Sequence, residues 1–416
     1  MKQIDDLIRQ AENDLADAFL KAEHIEQIRT RQILDTFRKY GVSYRHFAPS
    51  TGYGYDDIGR DTLEKIFADI FHTEAALMRP HVASGTAALS LTLFGLTKPG
   101  DNIVSATGMP YDTLQGVIGI GREASRGSLK EMGIGFTCVE LNGGRIDPAA
   151  VEAAMNEKTT LVIAQRSRGY AWRPSLFPKD FGELAGMIHD RHPGVLLMVD
   201  NCYGEFVCPD EPTDYGADLC VGSLIKNPGG GIAPTGGYVA GSCEAVERIA
   251  CRLTAPGLGR ELGSYAASYR PYYQGLFMAP HTVCQALKTA LLTARAFEIL
   301  GMETSPGSGE KRADIIQAVK MGTPGRLVSF CQGLQAASPV DSMAMPEPWD
   351  MPGYEDQVVM AAGTFVAGAS IELSADGPLR PPYTAYMQGG LTYAHGRIAL
   401  AEALRRMSET GALELP

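Results

Sequence analysis

No stretch of this 416-residue sequence is apolar over the roughly 20 residues that a membrane-spanning helix needs. The first residues, Met1-Lys-Gln-Ile-Asp-Asp-Leu, also lack the basic start and apolar core of a secretion signal. Both absences argue against a membrane protein and a secreted protein. We therefore expect a cytoplasmic location.

Positively charged residues are also fewer than negatively charged ones. The chain has 37 lysines and arginines against 48 aspartates and glutamates, which gives a formal net charge of −11. Such a surface repels the phosphates of nucleic acids and of anionic lipids, so we expect neither as a partner. The eight cysteines are scattered without a CxxC pair, which argues against disulfides and against a structural zinc site. We expect reduced, mostly buried cysteines and no bound metal.

What the sequence does contain is an alternation of short apolar strands with helices. Helices are predicted near 149–156 and 179–191, between nearly continuous apolar runs. Continuous rather than alternating apolar character is typical of strands that are buried on both faces, so we expect a mostly parallel sheet between two helical layers. The predicted strands are 76–79, 102–106, 135–141, 160–164, 194–200, 219–223 and 238–241.

The remaining segments predict three regions. Residues 1–60 form an N-terminal arm with a helix over 4–40, and residues 61–300 form a large α/β domain that ends in a helix over about 280–300. Residues 301–416 form a smaller α+β domain. In that domain we expect a helix near 312–319, strands near 327–333 and 358–373, and a closing helix near 395–409.

Three motifs follow strands of the predicted sheet. Ser84-Gly85-Thr86 opens an apolar helix, where hydroxyls and free backbone N–H groups can bind a phosphate; an ordinary helix cap is the alternative. Asp200 ends a strand, at the side where open α/β sheets bind ligands, and a turn cap is its alternative. Lys226 follows the next strand in Gly222-Ser-Leu-Ile-Lys-Asn-Pro-Gly-Gly-Gly, whose glycines can fold closely around a ligand. A solvated surface lysine is the alternative there.

Together these motifs supply the parts of a pyridoxal 5′-phosphate site. Lys226 is predicted to hold the cofactor as a Schiff base, with burial and neighbouring cations lowering the pKa of its amine. The motif at 84–86 is predicted to hold the phosphate. Asp200 is predicted to keep the pyridine nitrogen protonated, so that the ring can accept the electrons left when a proton leaves the substrate's Cα. The sequence therefore predicts an enzyme that acts on an amino acid.

Longer segments around these motifs resemble one bacterial family, whose members are described as aluminium resistance or methionine γ-lyase family proteins. They are Gly52-Tyr-Gly-Tyr-Asp-Asp-Ile-Gly-Arg-Asp-Thr-Leu-Glu64, Ala83-Ser-Gly-Thr-Ala-Ala, Val199-Asp-Asn-Cys-Tyr-Gly-Glu-Phe206 and the lysine segment. The family is related to the cystathionine β- and γ-lyases of cysteine and methionine metabolism, within the fold-type I, aspartate aminotransferase-like enzymes. The resemblance implies an α/β fold with a seven-stranded, mostly parallel sheet and a smaller α+β C-terminal domain.

The resemblance also implies roles for further residues. Ser223 would join the phosphate site, and Tyr111 would stack on the cofactor ring and take part in catalysis. In the related lyases a tyrosine and an arginine of the neighbouring subunit reach the phosphate. The residues of this chain that would play that part are Tyr53, Tyr55 and Arg60. A homodimer that forms the active site is therefore implied, with two dimers making a tetramer.

Three other side chains are candidates for contacting cofactor or substrate. Arg380, in the C-terminal domain, is the candidate for binding the substrate carboxylate, because a planar guanidinium can make two parallel hydrogen bonds to it. Gln165 and Arg168 lie just past a predicted strand, at a place where their side chains would contact the cofactor's ring oxygen or the substrate. A surface arginine is the alternative for Arg380.

The family implies elimination of a β- or γ-substituent, a thiol, from an amino acid such as methionine, cystathionine or cysteine. The products would be a 2-oxo acid and ammonia. Better-known members carry Ser-x-Thr-Lys where this chain has Ser223-Leu-Ile-Lys226, which leaves the substrate open. The alternatives are an aminotransferase or aldolase, and a non-catalytic binding protein with the same fold.

Overall fold

The computed structural model describes residues 2–120, 126–351 and 354–415. A seven-stranded sheet forms its centre, in the order β1-β7-β6-β5-β4-β2-β3. Its strands are β1 (Ala75–Arg79), β2 (Asn102–Ser105), β3 (Gly135–Cys138), β4 (Thr159–Gln165), β5 (Leu196–Asp200), β6 (Leu219–Ser223) and β7 (Gly237–Gly241).

The five strands from β6 to β3 run parallel, and β7 pairs antiparallel with both β6 and β1. Every residue of β1, β2, β6 and β7 is buried, which explains their continuous apolar character. Helices cover both faces, as in other parallel sheets. The predicted α/β fold with a mostly parallel seven-stranded sheet is confirmed.

A second sheet lies in the C-terminal part of the chain, and all of its strand pairs are antiparallel. Its order is β10-β11-β12-β9-β8. The strands are β8 (Thr304–Ser305), β9 (Gln317–Lys320), β10 (Val358–Ala361), β11 (Ser374–Pro378) and β12 (Thr384–Gln388).

The helices of the described residues alternate with these strands. Their bounds are α1 (Lys2–Asp14), α2 (Ala16–Lys39), α3 (Ile58–Ile70), α4 (Gly85–Leu96), α5 (Asp112–Ile118), α6 (Pro148–Ala154), α7 (Gly182–Arg191), α8 (Cys243–Leu253), α9 (Arg270–Ile299), α10 (Pro324–Ala336) and α11 (Tyr393–Glu409). Over the part of the chain that the structure describes, none of them is long and apolar enough to cross a membrane.

Three predictions for the C-terminal part are wrong. The segment 327–333 lies in helix α10, whose buried residues Leu327, Phe330, Cys331 and Leu334 follow helical spacing that a seven-residue window does not reveal. The segment 312–319 was predicted to be a helix, but its end lies in strand β9. In this strand Ala318 and Val319 pack into different apolar clusters, because successive side chains of a strand point to opposite faces. Of the segment 358–373, which was predicted to be a strand, only Val358–Ala361 forms one, namely β10.

The N-terminal arm consists of two helices rather than one. The chain leaves helical geometry at Leu15, between α1 and α2. The buried face of α1, with Ile4, Leu7 and Ile8, packs into the apolar core of the C-terminal sheet. Helix α2 packs along α9 instead. The division of the chain at residues 60 and 300 stays a prediction.

The parallel strands bring three predicted site residues to one edge. Gln165, Asp200 and Ser223 are the last residues of β4, β5 and β6, and Gln165 and Asp200 are in register. The N-terminus of α4 lies at the same edge, because a Cβ on Gly85 would be 3.2 Å from Cβ of Ser223. Carboxyl ends of parallel strands are where open α/β sheets bind ligands.

Candidate active site

One cavity of about 620 Å³ collects most of the predicted site residues. Its walls come from the carboxyl edge of the large sheet and from the C-terminal sheet. The predicted residues that line it are Ser84, Gly85, Thr86, Tyr111, Gln165, Arg168, Asp200, Ser223, Lys226 and Arg380.

The phosphate-binding candidates form a cradle of hydroxyl groups around the start of α4. The Ser84 Oγ caps this helix and accepts a hydrogen bond from the backbone N–H of Ala87 at 3.1 Å. Gly85 leaves room that a side chain would fill, since its Cβ would also lie 3.4 Å from the Sγ of Cys202. The Oγ of Ser223 is buried and has no hydrogen-bond partner within residues 2–120, 126–351 and 354–415. A buried hydroxyl without a partner at a helix N-terminus suits an anionic ligand such as a phosphate.

Asp200 is buried at the centre of the site. Its Oδ1 accepts a hydrogen bond from the backbone N–H of Cys202 at 3.1 Å. Burial raises the pKa of Asp200, and the positive charge of Lys226 opposes that shift. A buried carboxylate that stabilises a nearby cation is what a protonated pyridine nitrogen requires.

Lys226 lies between Asp200 and a tyrosine that the sequence analysis did not single out. Its Nζ is 4.0 Å from the centre of the Tyr203 ring, which is a cation–π contact. Burial lowers the pKa of Lys226, but Cys202, Tyr203, Asp200 and Tyr111 raise it more, and the net shift is upward. The prediction that neighbouring cations lower this pKa is therefore wrong for the chain alone, because the groups around the amine are acids.

Tyr111 and Gln165 are held together next to this centre. The Tyr111 hydroxyl is 2.8 Å from Oγ1 of Thr86, and its backbone N–H donates to Oε1 of Gln165 at 3.1 Å. Burial raises the pKa of Tyr111, so the phenol stays protonated near neutral pH. The side chain is thus fixed between the phosphate cradle and the carboxyl end of β4.

The two candidate arginines differ in how they are engaged. Arg380 is half-exposed and donates to Oδ2 of Asp356 at 2.8 Å. Arg168 is buried and donates from Nη1 to the Ser305 hydroxyl at 2.9 Å, while its Nε and Nη2 have no hydrogen-bond partner in the described part of the chain. A buried guanidinium with two unsatisfied N–H groups carries a desolvation cost that a carboxylate would remove.

The candidates for reaching a neighbouring subunit lie outside this cavity. Tyr53 and Tyr55 are 69% and 56% exposed, and their ring centres are 5.6 Å apart. Arg60 is buried, and its guanidinium donates to the carbonyl of Gly54 at 2.8 Å and to Asp61. Within one chain Arg60 therefore holds the loop that presents the two tyrosines.

The glycine run after Lys226 packs against helix α9 and not, as predicted, around a ligand. A Cβ on Gly230 would lie 2.4 Å from the carbonyl oxygen of Gly275, and a Cβ on Gly275 would lie 2.3 Å from that of Gly229. The missing side chains let this loop pack against the backbone of α9 rather than around a ligand. The loop thereby fixes the segment that carries Lys226.

The cavity wall also contains residues that no sequence motif indicated. Among them are Tyr203, Tyr354, Asp376 and Tyr386. Tyr203 follows Asp200 by three positions and has a φ of +72°, a strained conformation that is often found at functional sites. The other three belong to the C-terminal part of the chain and reach the cavity only through tertiary packing. Over the described residues, no group of three or more His, Cys, Asp or Glu residues is placed to hold a metal ion.

Comparison with known proteins places the chain in a family. The family model described as methionine gamma-lyase matches residues 4–408. An uncharacterized Bacillus subtilis protein, YnbB, is 50% identical over 95% of this chain and 94% of its own length. A solved structure of a putative cystathionine beta-lyase involved in aluminum resistance, from Listeria monocytogenes, is 47% identical, with a TM-score of 0.94 over 97% of this chain and 99% of that one.

A more distant comparison concerns the fold alone. A pyridoxal-5′-phosphate-dependent protein from Escherichia coli, YhfS, has a TM-score of 0.61 over 92% of this chain and 97% of its own, at 15% identity. The match of the family model over nearly all of the sequence, with the high identity to full-length relatives, confirms the predicted family. The chain belongs to the methionine gamma-lyase family and has the fold of the type I pyridoxal phosphate enzymes.

Proposed function

We propose that this protein is a pyridoxal 5′-phosphate-dependent carbon–sulfur lyase, which removes a thiol from the β- or γ-carbon of an amino acid. One observation carries the proposal: a buried carboxylate, a buried amine and an unpartnered hydroxyl at a helix N-terminus meet in one cavity. Lys226 would hold the cofactor through its Nζ. Asp200 would bind the pyridine nitrogen, and the cradle of Ser84, Gly85, Thr86 and Ser223 would bind the phosphate.

The chain's own residues supply positioning and proton transfer. When bound, the cofactor accepts the electrons that remain after a proton leaves the substrate's Cα. Lys226 is placed to take that proton, and holding an amine next to Cα gives a high effective molarity, on the order of 10⁵ M in well-oriented intramolecular reactions. The ring of Tyr203 contacts Nζ on one side and limits where the amine can swing. The hydrogen bond to Thr86 keeps Tyr111 over the site.

The reaction type is tested by the products. Protein loaded with the cofactor is incubated with L-methionine, L-cystathionine and L-cysteine, and thiol or sulfide, ammonia and 2-oxo acid are measured. We expect equal amounts of the three products from at least one substrate, without any added 2-oxo acid. An obligatory second 2-oxo acid, with no release of thiol or ammonia, would instead identify an aminotransferase.

We further propose that Arg168 binds the substrate carboxylate and that Arg380 contributes less, since Arg380 already pairs with Asp356. A lost hydrogen bond to a charged group costs about 1.5–3 kcal/mol, so Arg168→Lys is expected to raise KM roughly 10- to 100-fold. Arg380→Lys is the matched control, with an expected change of less than about threefold because an exposed ion pair contributes little. Steady-state kinetics on both variants decides the assignment, and the opposite ranking would transfer the role to Arg380.

We also propose that the active site is completed by a second copy of the chain, in a homodimer that pairs into a tetramer. The cradle side chains are neutral, whereas the phosphate carries close to two negative charges and can accept further hydrogen bonds. The exposed hydroxyls of Tyr53 and Tyr55 can serve a neighbouring cradle.

Complementation tests this arrangement. Neither Lys226→Ala nor the double variant Tyr53→Ala, Tyr55→Ala is expected to be fully active alone. Co-expression of the two chains is expected to restore activity above both, because mixed dimers contain one intact site. Mixed dimers that form but restore nothing would contradict a shared site.

A further inference from the structure

The part of the cavity wall that the C-terminal sheet forms contains a carboxyl group surrounded by tyrosines. Asp376 lies on β11, in register with Tyr386 on β12. The Tyr170 ring centre is 5.2 Å from that of Tyr386 and 5.7 Å from that of Tyr354. All four side chains line the same cavity as Lys226. The C-terminal sheet thus contributes an acid to the site.

One oxygen of this acid is unpaired. Oδ1 of Asp376 is buried and has no hydrogen-bond partner among the residues that the structure describes. Buried polar atoms in folded proteins are almost always hydrogen-bonded, and leaving one unpaired costs about 1–3 kcal/mol. Since Asp376 also lines the cavity, its carboxyl group is placed to interact with a group that enters the cavity.

Asp376 changes protonation near neutral pH, whereas the tyrosines and the cysteine around it stay protonated. Burial raises the pKa of Asp376 to about 7, and the neighbouring side chains of Tyr170 and Gln388 oppose this shift. Burial also raises the pKa of Tyr170, Tyr354 and Tyr386, the last two to about 12, so these phenols stay protonated. On the other side of the strand, Cys331 of α10 is buried and its pKa is raised as well.

We infer that the protonated carboxyl of Asp376 donates its proton to the sulfur atom of the departing thiol, which deepens the proposed function and rests on it. The two electrons of the C–H bond that Lys226 breaks form a carbon–carbon double bond. The carbon–sulfur bond breaks with both electrons staying on sulfur, and the O–H bond of Asp376 breaks as the new S–H bond forms. A neutral thiol leaves, and the carboxylate of Asp376 takes a proton from water before the next turnover. Lys226 is then needed only for the proton on carbon.

Two substrates of similar size but different thiol acidity test this role. They are the S-(4-nitrobenzyl) and S-(4-nitrophenyl) derivatives of cysteine, or of homocysteine if the wild type prefers the longer chain. The benzyl thiolate is strongly basic and needs a proton to depart, whereas the nitrophenyl thiolate leaves without one. General acid catalysis contributes about 10²–10⁴-fold, so Asp376→Asn is expected to slow release of the benzyl thiol by at least about 10²-fold. Release of the nitrophenyl thiol should change less than about threefold.

A second readout separates this role from a structural one. Exchange of the substrate's Cα proton with D₂O, followed by NMR, precedes departure of sulfur and is expected to be unchanged in Asp376→Asn. Equal losses with both substrates, or loss of Cα exchange, would overturn the inference. A wild-type protein that exchanges Cα protons but releases neither thiol would reject the proposed lyase function instead.

The wild-type pH profile tests the same role without any variant. Because the donor must be protonated, release of the benzyl thiol is expected to fall as the pH rises through about 7, the pKa of Asp376. Release of the nitrophenyl thiol is expected to lack this decline. Identical profiles for the two substrates would contradict proton donation by Asp376.

Discussion

Replacement of Lys226 by alanine is expected to abolish both covalent attachment of the cofactor and turnover. In the proposed function the amine is both the nucleophile that holds pyridoxal 5′-phosphate and the base that takes the Cα proton, so the rate is expected to fall on the order of 10⁴-fold. After dialysis, the variant should also lose the visible absorbance of the bound cofactor. Absorbance spectra and a thiol-release assay measure the two effects.

The control for this variant is Lys98→Ala, which removes an exposed lysine from the loop between α4 and β2. It should keep the absorbance and the activity of the wild type. The fold of Lys226→Ala should also persist, since the contact of Nζ with the Tyr203 ring is a single cation–π interaction of about 0.5–2 kcal/mol. A folded Lys226→Ala protein that retains absorbance and turnover would contradict the assignment of Lys226.

Asp200→Asn is expected to separate cofactor attachment from catalysis. The variant keeps a side chain of the same shape at the end of β5 but loses the negative charge that is proposed to bind the pyridine nitrogen. Electrostatic stabilisation of this kind is worth about 10²–10³-fold in rate, so we expect a loss of that size while the cofactor stays attached to Lys226. Mass spectrometry of the intact protein and single-turnover kinetics measure the two properties independently.

The matched control is Asp190→Asn on α7, an exposed carboxylate away from the site. It should behave as the wild type does. Burial raises the pKa of Asp200 and the charge of Lys226 opposes this, so removal of either partner should also change the pH dependence of the other. An Asp200→Asn protein with an unchanged rate would show that this carboxylate does not support the reaction.

The central part of the site could be predicted because each of its elements carries a local signal. The strands that end at Gln165, Asp200 and Ser223 are short continuous apolar runs, and parallel strands present their carboxyl ends at one edge. The start of α4 is marked by a serine cap and a glycine. Sequence order alone therefore brings these side chains together.

The part of the cavity wall that the C-terminal sheet forms could not be predicted in this way. Asp376 and Tyr386 come from neighbouring strands of the C-terminal sheet, and part of that sheet was predicted with the wrong elements. Their approach to Lys226 depends on how the two sheets pack, which no local pattern encodes. The unpaired donors of Arg168 are likewise visible only in three dimensions, whereas its sequence neighbours resemble an ordinary loop after a strand.

The same limit explains two misjudged features near Lys226. The glycines at 229–231 suggested a close approach to a ligand, but they allow a close approach to the backbone of α9. The acids around the amine come from two other segments, residues 200–203 and the loop at Tyr111, so their upward effect on the pKa of Lys226 could not be read from the lysine motif. A glycine run indicates close packing without indicating what is packed.

The proposed function depends on the attachment of pyridoxal 5′-phosphate to Lys226, and this attachment can be measured directly. The cofactor-loaded protein is reduced with borohydride, which makes the attachment permanent, then digested and mapped by tandem mass spectrometry. We predict a phosphopyridoxyl group on the peptide that contains Lys226. A group carried by a different lysine, or no covalent group in protein that is active, would contradict the account.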